Sequence, residues 1–424
     1  MRDGRPRKRR RVEPENLPGL RRLRGLRARL RGRRLRTLDL PGLDLLARVG
    51  EAPILYGNAI RLLLDGLQAS RIMEEDIASA RATICVEMYL WRNDRFGRGV
   101  AALLAERART GIQVRVIYDA YGCLGQEAVF RPILDAGGLV VPYEPLPPLF
   151  GRFWPGFPRD HRKLVVVDGR TAFVGSRNFG EEYSEAWAGP RAFRDLTLRI
   201  EGPGARECLR LFLHSWMRYG PEEGGEGLVP LLASTPPREA GSAGVQVLGR
   251  NRGPRGRRTM RDSLVTLLRL ARREVFFAHA YFFPDHRTLG ALRAAARRGV
   301  RVTVLLPADS DVPVAREAGR SFYGRLLGSG VDVLERQGRM LHMKAGIVDE
   351  EIVIAGSANL DTLSLFKNLE VAVNVFDATA ARELRGALEE DLHASRRVTR
   401  QEWARRGRMR RLLERIAAWL RAWY

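Results

Sequence analysis

A pattern of six residues occurs twice in this 424-residue chain, and it constrains the fold more than any other feature. The first copy consists of His161, Lys163, Asp168, Gly175, Ser176 and Asn178. The second copy repeats each residue 181 positions later, as His342, Lys344, Asp349, Gly356, Ser357 and Asn359. Because the whole chain holds only six histidines and four lysines, a chance match of common residues does not explain the agreement. The repeat predicts an internal duplication.

The segments around the two copies follow one order of strands and helices. In the first half, an apolar strand within 80–94 precedes a helix over 100–109 and a strand over 113–119. In the second half, the segments 271–285, 289–298 and 301–306 have the same character. Strands that alternate with helices indicate α/β units. The predicted fold class is α/β, with two fused α/β/α halves that are related by a pseudo-twofold axis and share one active site.

The expected organisation has five parts. They are a basic N-terminal arm (1–45), a first half (46–219), a linker rich in Gly, Pro, Glu and Ser (220–244), a second half (245–394) and a basic amphipathic C-terminal helix (395–424). The net charge of +24 lies mostly in the two ends: residues 1–37 hold 16 Lys and Arg against three acidic residues, and 395–424 hold ten Arg against two. Such ends suit an anionic surface, either a lipid leaflet or nucleic acid.

The sequence lacks the signals of membrane-spanning, secreted, zinc-binding and disulfide-rich proteins. No run approaches the roughly 18 apolar residues of a membrane-spanning helix, and no apolar segment follows the basic N-terminus as in a secretory signal. We therefore expect a soluble or peripheral protein on the cytoplasmic side. Cys85, Cys123 and Cys208 have no spacing typical of a zinc site or a disulfide framework, and are expected to be buried.

The motif also predicts its own local structure. His161 and Lys163 are two residues apart, so on a strand they project to the same face. Asp168-Gly169 and Asp349-Glu350 are turn signals that close a hairpin, and the return strand brings Gly-Ser-x-Asn back beside the His/Lys pair. Each half then presents an imidazole, an ammonium, a hydroxyl and an amide. Asp168 and Asp349 fit two roles, as hairpin-turn residues or as catalytic groups.

These side chains suit phosphodiester chemistry. Around the non-bridging oxygens, candidate donors are Lys163, Lys344, Ser176, Ser357, Asn178 and Asn359. A neutral imidazole can act as the nucleophile, and a second imidazole can protonate the leaving oxygen. One half supplies only one histidine, so the two halves are expected to face each other and complete the set. This chemistry calls for no metal or other cofactor.

At these residues the sequence resembles the phospholipase D superfamily, whose His-x-Lys-x4-Asp-x6-Gly-Ser-x-Asn signature it carries twice. Within the superfamily it resembles bacterial cardiolipin synthases without transmembrane helices, over roughly residues 50–424. Both motifs have one residue between Ser and Asn, where other branches have two, and this spacing favours the synthase-like branch.

The resemblance implies a phosphatidyltransferase. One motif histidine would attack the phosphorus of phosphatidylglycerol, expel glycerol and form a phosphatidyl-histidine, and a second phosphatidylglycerol would then accept the phosphatidyl group to give cardiolipin. We assign His161 as the nucleophile and His342 as the acid/base, although the symmetry of the motifs leaves the reverse assignment open. In the family, an acidic residue after each motif steadies a histidine, and Asp195 and Glu370 match those positions.

The implied partners are anionic phospholipids, namely phosphatidylglycerol and cardiolipin, and the inner-membrane surface. The expected location is the cell membrane, peripheral on its cytoplasmic face. No specific nucleic acid is expected, because the core between the two ends is nearly neutral. The alternative is a phospholipase D-type phosphodiesterase that hydrolyses phospholipid or nucleic acid. The acceptor also stays open between phosphatidylglycerol, phosphatidylethanolamine, glycerol and water.

Overall fold

The structure is a computed structural model that describes residues 38–144, 158–221, 228–234, 238–249 and 258–407, together with Met409 and Ile416. The strands of these residues are β1 (Leu55–Leu63), β2 (Thr83–Met88), β3 (Gln113–Asp119), β4 (Leu139–Tyr143), β5 (Lys163–Val167), β6 (Thr171–Gly175), β7 (Thr197–Glu201), β8 (Ala243–Gly249), β9 (Glu274–His279), β10 (Arg301–Pro307), β11 (Asp332–Arg336), β12 (Lys344–Val348), β13 (Ile352–Gly356), β14 (Val371–Phe376) and β15 (Ser395–Val398).

The helices of the same residues lie between these strands. They are α1 (Leu40–Val49), α2 (Gly66–Ala78), α3 (Arg95–Arg109), α4 (Arg131–Asp135), α5 (Glu185–Ala188), α6 (Pro203–Tyr219), α7 (Leu228–Ser234), α8 (Thr259–Leu270), α9 (His286–Arg297), α10 (Pro313–Arg320), α11 (Tyr323–Leu327), α12 (Thr362–Phe366), α13 (Ala378–Ala387), α14 (Glu389–His393) and α15 (Arg400–Arg405). Aspartate side chains cap the N-termini of α3 and α9, at Asp94 and Asp285, in both halves alike.

The strands form one mixed sheet whose order displays the duplication. From one edge it runs β15-β11-β10-β9-β12-β13-β14-β8-β1-β7-β6-β5-β2-β3-β4. Apart from the edge strand β15, the order of one half is the mirror image of the other about the antiparallel pair β8/β1. The motif strands β5 and β12 therefore occupy equivalent places. This arrangement confirms the predicted α/β class with two related halves.

Three clusters of buried apolar residues hold the layers together. One outer cluster packs α2 and α3 on the first half of the sheet, and the other packs α8, α9 and α11 on the second half. The central cluster draws on both halves, with Phe212 and Trp216 of α6 and Leu384 of α13 packed between them. A shared inner core keeps the two motif strands in a fixed relation, because packed interiors deform little.

Two predicted boundaries differ from the structure. Helix α1 crosses the expected end of the N-terminal arm at residue 45, and its Leu43 and Leu46 are buried against the outer core of the second half. The expected linker 220–244 includes helix α7 and the start of β8. An amphipathic helix of ten residues and short apolar runs are weak sequence signals beside arginine-rich and glycine-rich neighbours.

The C-terminal segment also begins differently from its prediction as a helix. Ser395–Val398 is a strand, β15, that pairs antiparallel with β11. Trp403, within the segment predicted as a helix, is buried in the outer core of the second half. Beyond residue 407 only Met409 and Ile416 of the predicted C-terminal helix are described, and residues 1–37 of the predicted arm lie outside the described residues.

Candidate active site

The two motifs are tied to each other by backbone hydrogen bonds between the halves. The N–H of His161 donates to the carbonyl of Leu369 at 2.9 Å, and the N–H of His342 donates to the carbonyl of Arg194 at 2.8 Å. The predicted strand through His161 therefore begins only at Lys163, because the preceding residues pair with the opposite half. Each histidine thus lies just before its motif strand, at the junction of the two halves.

Each histidine is held by a carboxylate from the opposite half. His161 Nδ1 lies 3.0 Å from Glu370 Oε1, and His342 Nδ1 lies 2.8 Å from Asp195 Oδ2. Both carboxylates are fully buried. A carboxylate that accepts the Nδ1 proton leaves Nε2 with its lone pair, which is the atom a nucleophile or base needs. Asp195 and Glu370, the residues predicted to orient the histidines, thus each lie beside one of them, and the pairing is crosswise.

The two lysines lie beside the histidines on the same face. Lys163 Nζ donates to the carbonyl of His161 at 2.7 Å and lies 4.8 Å from the ring centre of Tyr89. Lys344 Nζ donates to the carbonyl of His342 at 2.7 Å and lies 3.0 Å from His342 Nε2. Both ammonium groups are buried. Two cations from different halves therefore border one small site.

The electrostatics also indicate one common site. Burial lowers the pKa of His161 well below its ordinary value, and the charges of Lys163, Lys344 and His342 lower it further. Burial lowers the pKa of His342 too, and Lys344 adds to this while Asp195 opposes it. Since groups from both motifs act on one imidazole, the four side chains lie within short electrostatic range. The lowered pKa keeps His161 neutral, whereas Asp195 favours the protonated form of His342.

The two carboxylates differ in their charge state. Burial opposes ionisation of Asp195, but His342, Lys344 and Arg177 hold the pKa of this carboxyl well below its usual range. Burial raises the pKa of Glu370 to about 7, against the lowering effect of Lys163. The duplicated site is therefore electrostatically asymmetric, with a fixed anion beside His342 and a titrating carboxyl beside His161.

The motif serines have a different role from the predicted one. The hydroxyl of Ser176 donates to Asp195, and the hydroxyl of Ser357 donates to Glu370. Their protons are thus engaged by the orienting carboxylates, so the predicted phosphate binding by these hydroxyls does not fit their placement. The motif glycines make this contact possible. A Cβ at Gly175 would lie 2.3 Å from the carbonyl oxygen of Leu196, next to Asp195.

Each motif asparagine has a side-chain amide oxygen without a hydrogen-bond partner. Asn178 Nδ2 donates to the hydroxyl of Tyr183 at 2.6 Å, while its Oδ1 is buried without a hydrogen-bond partner. Asn359 Oδ1 is buried without a partner as well. Both positions are compatible with substrate contact, and phosphate binding by these residues stays a prediction.

Asp168 and Asp349 lie at the far ends of the motif strands from the lysines. Asp168 accepts hydrogen bonds from the backbone N–H groups of residues 81–83, and Asp349 from those of 272–274, at 2.7–2.9 Å. Both have positive φ, as do Gly169 and Glu350, which is the geometry of a type I′ turn. A direct catalytic role does not fit this placement, and the turn role does.

We expect Asp349→Asn to destabilise the fold and to leave the activity of folded molecules unchanged. The buried carboxylate accepts three N–H groups, and an amide would turn an NH2 toward at least one of them, at a cost of about 3 kcal/mol. Urea unfolding and specific activity per folded molecule measure the two effects. Asp168→Asn is the matched comparison, with a smaller loss because Asp168 is partly exposed. A loss of activity without a loss of stability would indicate that both residues act in catalysis.

Three residues at the site were not predicted from the sequence. The ring of Tyr89 meets that of His161 edge-on at 4.7 Å, and the ring of Tyr183 meets that of His342 at 5.4 Å. Arg162 is fully buried on the opposite face of the motif strand and donates from Nε to the carbonyl of Glu370 at 3.2 Å. The signal for Arg162 was available, since a charged residue between the motif His and Lys must point to an otherwise apolar face.

Arg162 belongs to a buried polar network behind the site. Its Nη1 donates to Glu87 Oε1 at 3.0 Å and to Ser215 Oγ at 2.7 Å. Ser215 in turn donates to Glu87 at 2.9 Å. The network anchors the backbone of Glu370, and through it the ring of His161. Met343 occupies the corresponding motif position in the second half, so this support is specific to His161.

Two halves of one α/β/α plan, each placing a histidine and a lysine in a common buried site, define a phospholipase D-like protein with two motifs. The sequence pattern described as "Cardiolipin synthase, PLD-like domain" matches residues 73–206 and 264–392, inside the two predicted halves. The chain is 35% identical to cardiolipin synthase B of Escherichia coli (strain K12) over 343 residues, 78% of this chain and 80% of that protein. It is 31% identical to a probable cardiolipin synthase of Bacillus subtilis (strain 168), over 82% of this chain and 69% of that protein. The chain belongs to the cardiolipin synthase family of phospholipase D-like proteins.

Solved structures agree with this fold. Phosphatidylserine synthase from Haemophilus influenzae Rd KW20 superposes with a TM-score of 0.66 at 12% identity, covering 89% of this chain and 97% of that chain. Polyphosphate kinase from Porphyromonas gingivalis gives a TM-score of 0.53 at 16% identity, covering 81% and 49%. At these identities the likeness concerns the fold. The family membership confirms the predicted enzyme class, a phosphatidyltransferase of this superfamily.

None of the helices of the described residues is long and apolar enough to cross a membrane. Nor do three or more His, Cys, Asp and Glu side chains of these residues cluster as a metal site would require.

Proposed function

We propose that the protein makes cardiolipin from two molecules of phosphatidylglycerol, through a phosphatidyl-histidine intermediate on His161, and releases glycerol. The observation that carries the proposal is the crosswise pairing of His161 with Glu370 and of His342 with Asp195 in one buried site. The membership of the chain in the cardiolipin synthase family supports the choice of substrate and product.

In the first step, His161 Nε2 attacks the phosphorus of phosphatidylglycerol while Glu370 accepts the Nδ1 proton. The bond between phosphorus and the glycerol oxygen breaks, and the His342 imidazolium, which Asp195 stabilises, gives its Nε2 proton to that oxygen as general acid. Lys163 and Lys344 neutralise the non-bridging oxygens, on which charge accumulates. Glycerol leaves, and the phosphatidyl group remains on His161 through a P–N bond.

In the second step, a hydroxyl of another phosphatidylglycerol enters from the side that glycerol left. His342, now neutral, removes its proton, the oxygen attacks phosphorus, and the P–N bond to His161 breaks. The electron pair of that bond returns to the imidazole, and Glu370 gives the Nδ1 proton back to His161. The product is cardiolipin, and both histidines regain their starting protonation.

The asymmetry of the two carboxylates supports this assignment of roles. A general acid gains from a permanently ionised neighbour, which stabilises the imidazolium form, and Asp195 provides that beside His342. A nucleophile must stay neutral, and the low pKa of His161 meets that need. The network of Arg162 additionally fixes the ring-orienting carboxylate on the nucleophile's side.

We expect a bell-shaped dependence of kcat/KM on pH, with limbs near pH 7 and pH 8. Below the pKa of about 7 that burial gives Glu370, the carboxyl is protonated and cannot accept the Nδ1 proton of His161. Burial lowers the pKa of Lys344 to about 8, so above it the ammonium that binds phosphate is lost. Rate measurements from pH 5.5 to 9.5 locate both limbs.

Lys344→Arg is the informative variant for the alkaline limb. A guanidinium stays charged at all these pH values, so the limb near pH 8 should disappear even if the planar group fits less well and the rate is lower. A wild-type profile that is flat between pH 6 and pH 9 would contradict the assigned roles of Glu370 and Lys344.

The proposed location is the cytoplasmic face of the cell membrane, with peripheral binding to anionic lipid. Support comes from the sequence, because residues 1–37 and 395–424 carry most of the net charge of +24. Each basic residue near an anionic surface contributes about 1 kcal/mol before screening. Removal of residues 1–37 should weaken co-sedimentation with phosphatidylglycerol vesicles. Binding that persists after this removal, and at high salt, would show that the arm is not the anchor.

Product analysis tests the proposed function. Purified protein and phosphatidylglycerol vesicles should give cardiolipin and glycerol in equal amounts, identified by mass spectrometry. Release of phosphatidic acid alone would identify a hydrolase instead. Nicking of DNA without lipid turnover would favour the nuclease alternative.

A further inference from the structure

A cavity beside Lys344 distinguishes the second half of the site from the first. It lies between helix α8 and the sheet. Its wall is largely apolar, with Leu264, Phe277 and Leu365 among its members. Lys344 and Asn359 of the motif form the side toward the histidines, and His279 at the end of β9 lies opposite Lys344 in the strand pairing.

Two polar side chains of this cavity are buried and carry an atom without a partner. His279 is 4% exposed, and its Nδ1 has no hydrogen-bond partner. Asn359 is also 4% exposed, and its Oδ1 has none. Ser263 and Asn374 in the same wall, by contrast, bond to each other. A buried acceptor without a donor is costly. The cavity therefore offers unsatisfied groups to a ligand that brings its own donors.

The first half has a corresponding cavity beside Lys163 with a different lining. Met88 pairs with Lys163 as His279 pairs with Lys344, so a thioether replaces the imidazole. Phe96, Phe173 and Phe179 also line this cavity. Ser70 in its wall donates to a backbone carbonyl, and Arg177 donates to two of them through its Nη atoms, with Nε left without a partner. The unpaired atom there is a donor, whereas the second cavity leaves an acceptor, Asn359 Oδ1, unpaired. An imidazole at 279 thus breaks the duplication next to the catalytic groups.

We propose that the His279 cavity binds the glycerol head group, first as leaving group and then as acceptor, and so selects a polyol. This inference rests on the proposed function, in which His161 attacks phosphorus from one side and His342 serves the oxygen on the other. Lys344, 3.0 Å from His342 Nε2, is part of the cavity wall, so the cavity borders the side of the site on which His342 acts. Glycerol hydroxyls supply the donors that Asn359 Oδ1 and the imidazole lack, whereas phosphate oxygens are acceptors only.

The test measures how one common intermediate divides between acceptors. The donor is the p-nitrophenyl ester of phosphatidic acid, because its leaving group needs neither a polyol site nor an acid. Glycerol, 1,2-propanediol and 1-propanol compete at equal concentrations, and mass spectrometry counts the three phosphatidyl products. Wild-type protein should favour glycerol over 1-propanol by at least about tenfold, the effect of one or two buried hydrogen bonds.

His279→Met is the decisive variant, since the first half accepts methionine at the matching position. It should reduce the glycerol preference to about twofold while nitrophenol release continues. Asn359→Ala should weaken the preference as well, and provides a second measurement should His279→Met fail to fold. Met88→Leu, in the cavity of the first half, should keep the wild-type ratio.

The outcomes separate the two proposals. An unchanged glycerol preference in His279→Met, or no preference in the wild type, would overturn the inference about the cavity alone. Failure of the wild type to release nitrophenol or to form any phosphatidyl product would instead overturn the proposed function.

Discussion

His161→Ala is expected to lower cardiolipin synthesis by at least about 10⁴-fold, because the variant has no group that can form the covalent intermediate. The loss should appear in kcat, since Lys163, Lys344 and the rest of the phosphate site remain. Water or alanine cannot replace an imidazole that its partner Glu370 holds in the reactive tautomer at 3.0 Å. The measurement is the rate of glycerol release from phosphatidylglycerol vesicles.

His214→Ala is a suitable control for this experiment. His214 is an exposed histidine of helix α6, so its removal should leave both folding and turnover as in the wild type. If His161→Ala kept more than a tenth of wild-type turnover, His161 would not be the nucleophile.

The second large effect is expected for Asp195→Asn, with a loss of about 10³- to 10⁴-fold. The change keeps the size of the side chain but replaces an acceptor by an amide that can donate. His342 would then turn its Nδ1 lone pair to the amide and carry its proton on Nε2, which no longer serves as a base in the second step. The ionised neighbour that stabilises its imidazolium form would be lost as well.

The experiment compares Asp195→Asn with Asp377→Asn. Asp377 caps helix α13 through the N–H groups of residues 379 and 380, and asparagine caps a helix about equally well. That control should therefore keep its stability and turnover. Equal activities in the two variants would show that the carboxylate beside His342 has no part in catalysis.

The sequence predicted the features that depend on short spacing and on the duplication. The His-x-Lys pair on one face, the Asp-Gly and Asp-Glu turns and the return strands follow from a period of two and from turn chemistry. The Gly in each motif also has a local cause, the close approach of the neighbouring strand. Repetition at a fixed offset then predicted two related halves, which the mirrored strand order confirms.

The crosswise arrangement could not be derived from the sequence. His161 and Glu370 are 209 residues apart, and no local pattern states that each carboxylate serves the opposite half. The prediction for the serines also failed. From the sequence, a hydroxyl near a phosphate site is a candidate phosphate ligand, but in the structure each hydroxyl donates its hydrogen bond to a carboxylate. Such pairings depend on how the halves meet along their shared core.

Other differences between prediction and structure lie in the arginine-rich segment that begins at residue 395, where composition is a poor guide to secondary structure. The strand Ser395–Val398 has two exposed arginines and pairs at the edge of the sheet, so its composition resembles that of a solvated helix. Trp403 lies in the arginine-rich segment predicted as a basic amphipathic helix, although it packs on Tyr323 with ring centres 4.9 Å apart. In both cases tertiary contacts decide the structure.

The most direct test of one site with two unequal histidines uses His342→Ala and the p-nitrophenyl donor. An activated leaving group needs no acid, so the first step proceeds, while the second step lacks its base and the intermediate accumulates. The protein is denatured at neutral or alkaline pH and its peptides are mapped by mass spectrometry, because P–N bonds hydrolyse in acid. We predict a phosphatidyl group on His161. Nitrophenol release with the group on another residue, or on none, would contradict the account.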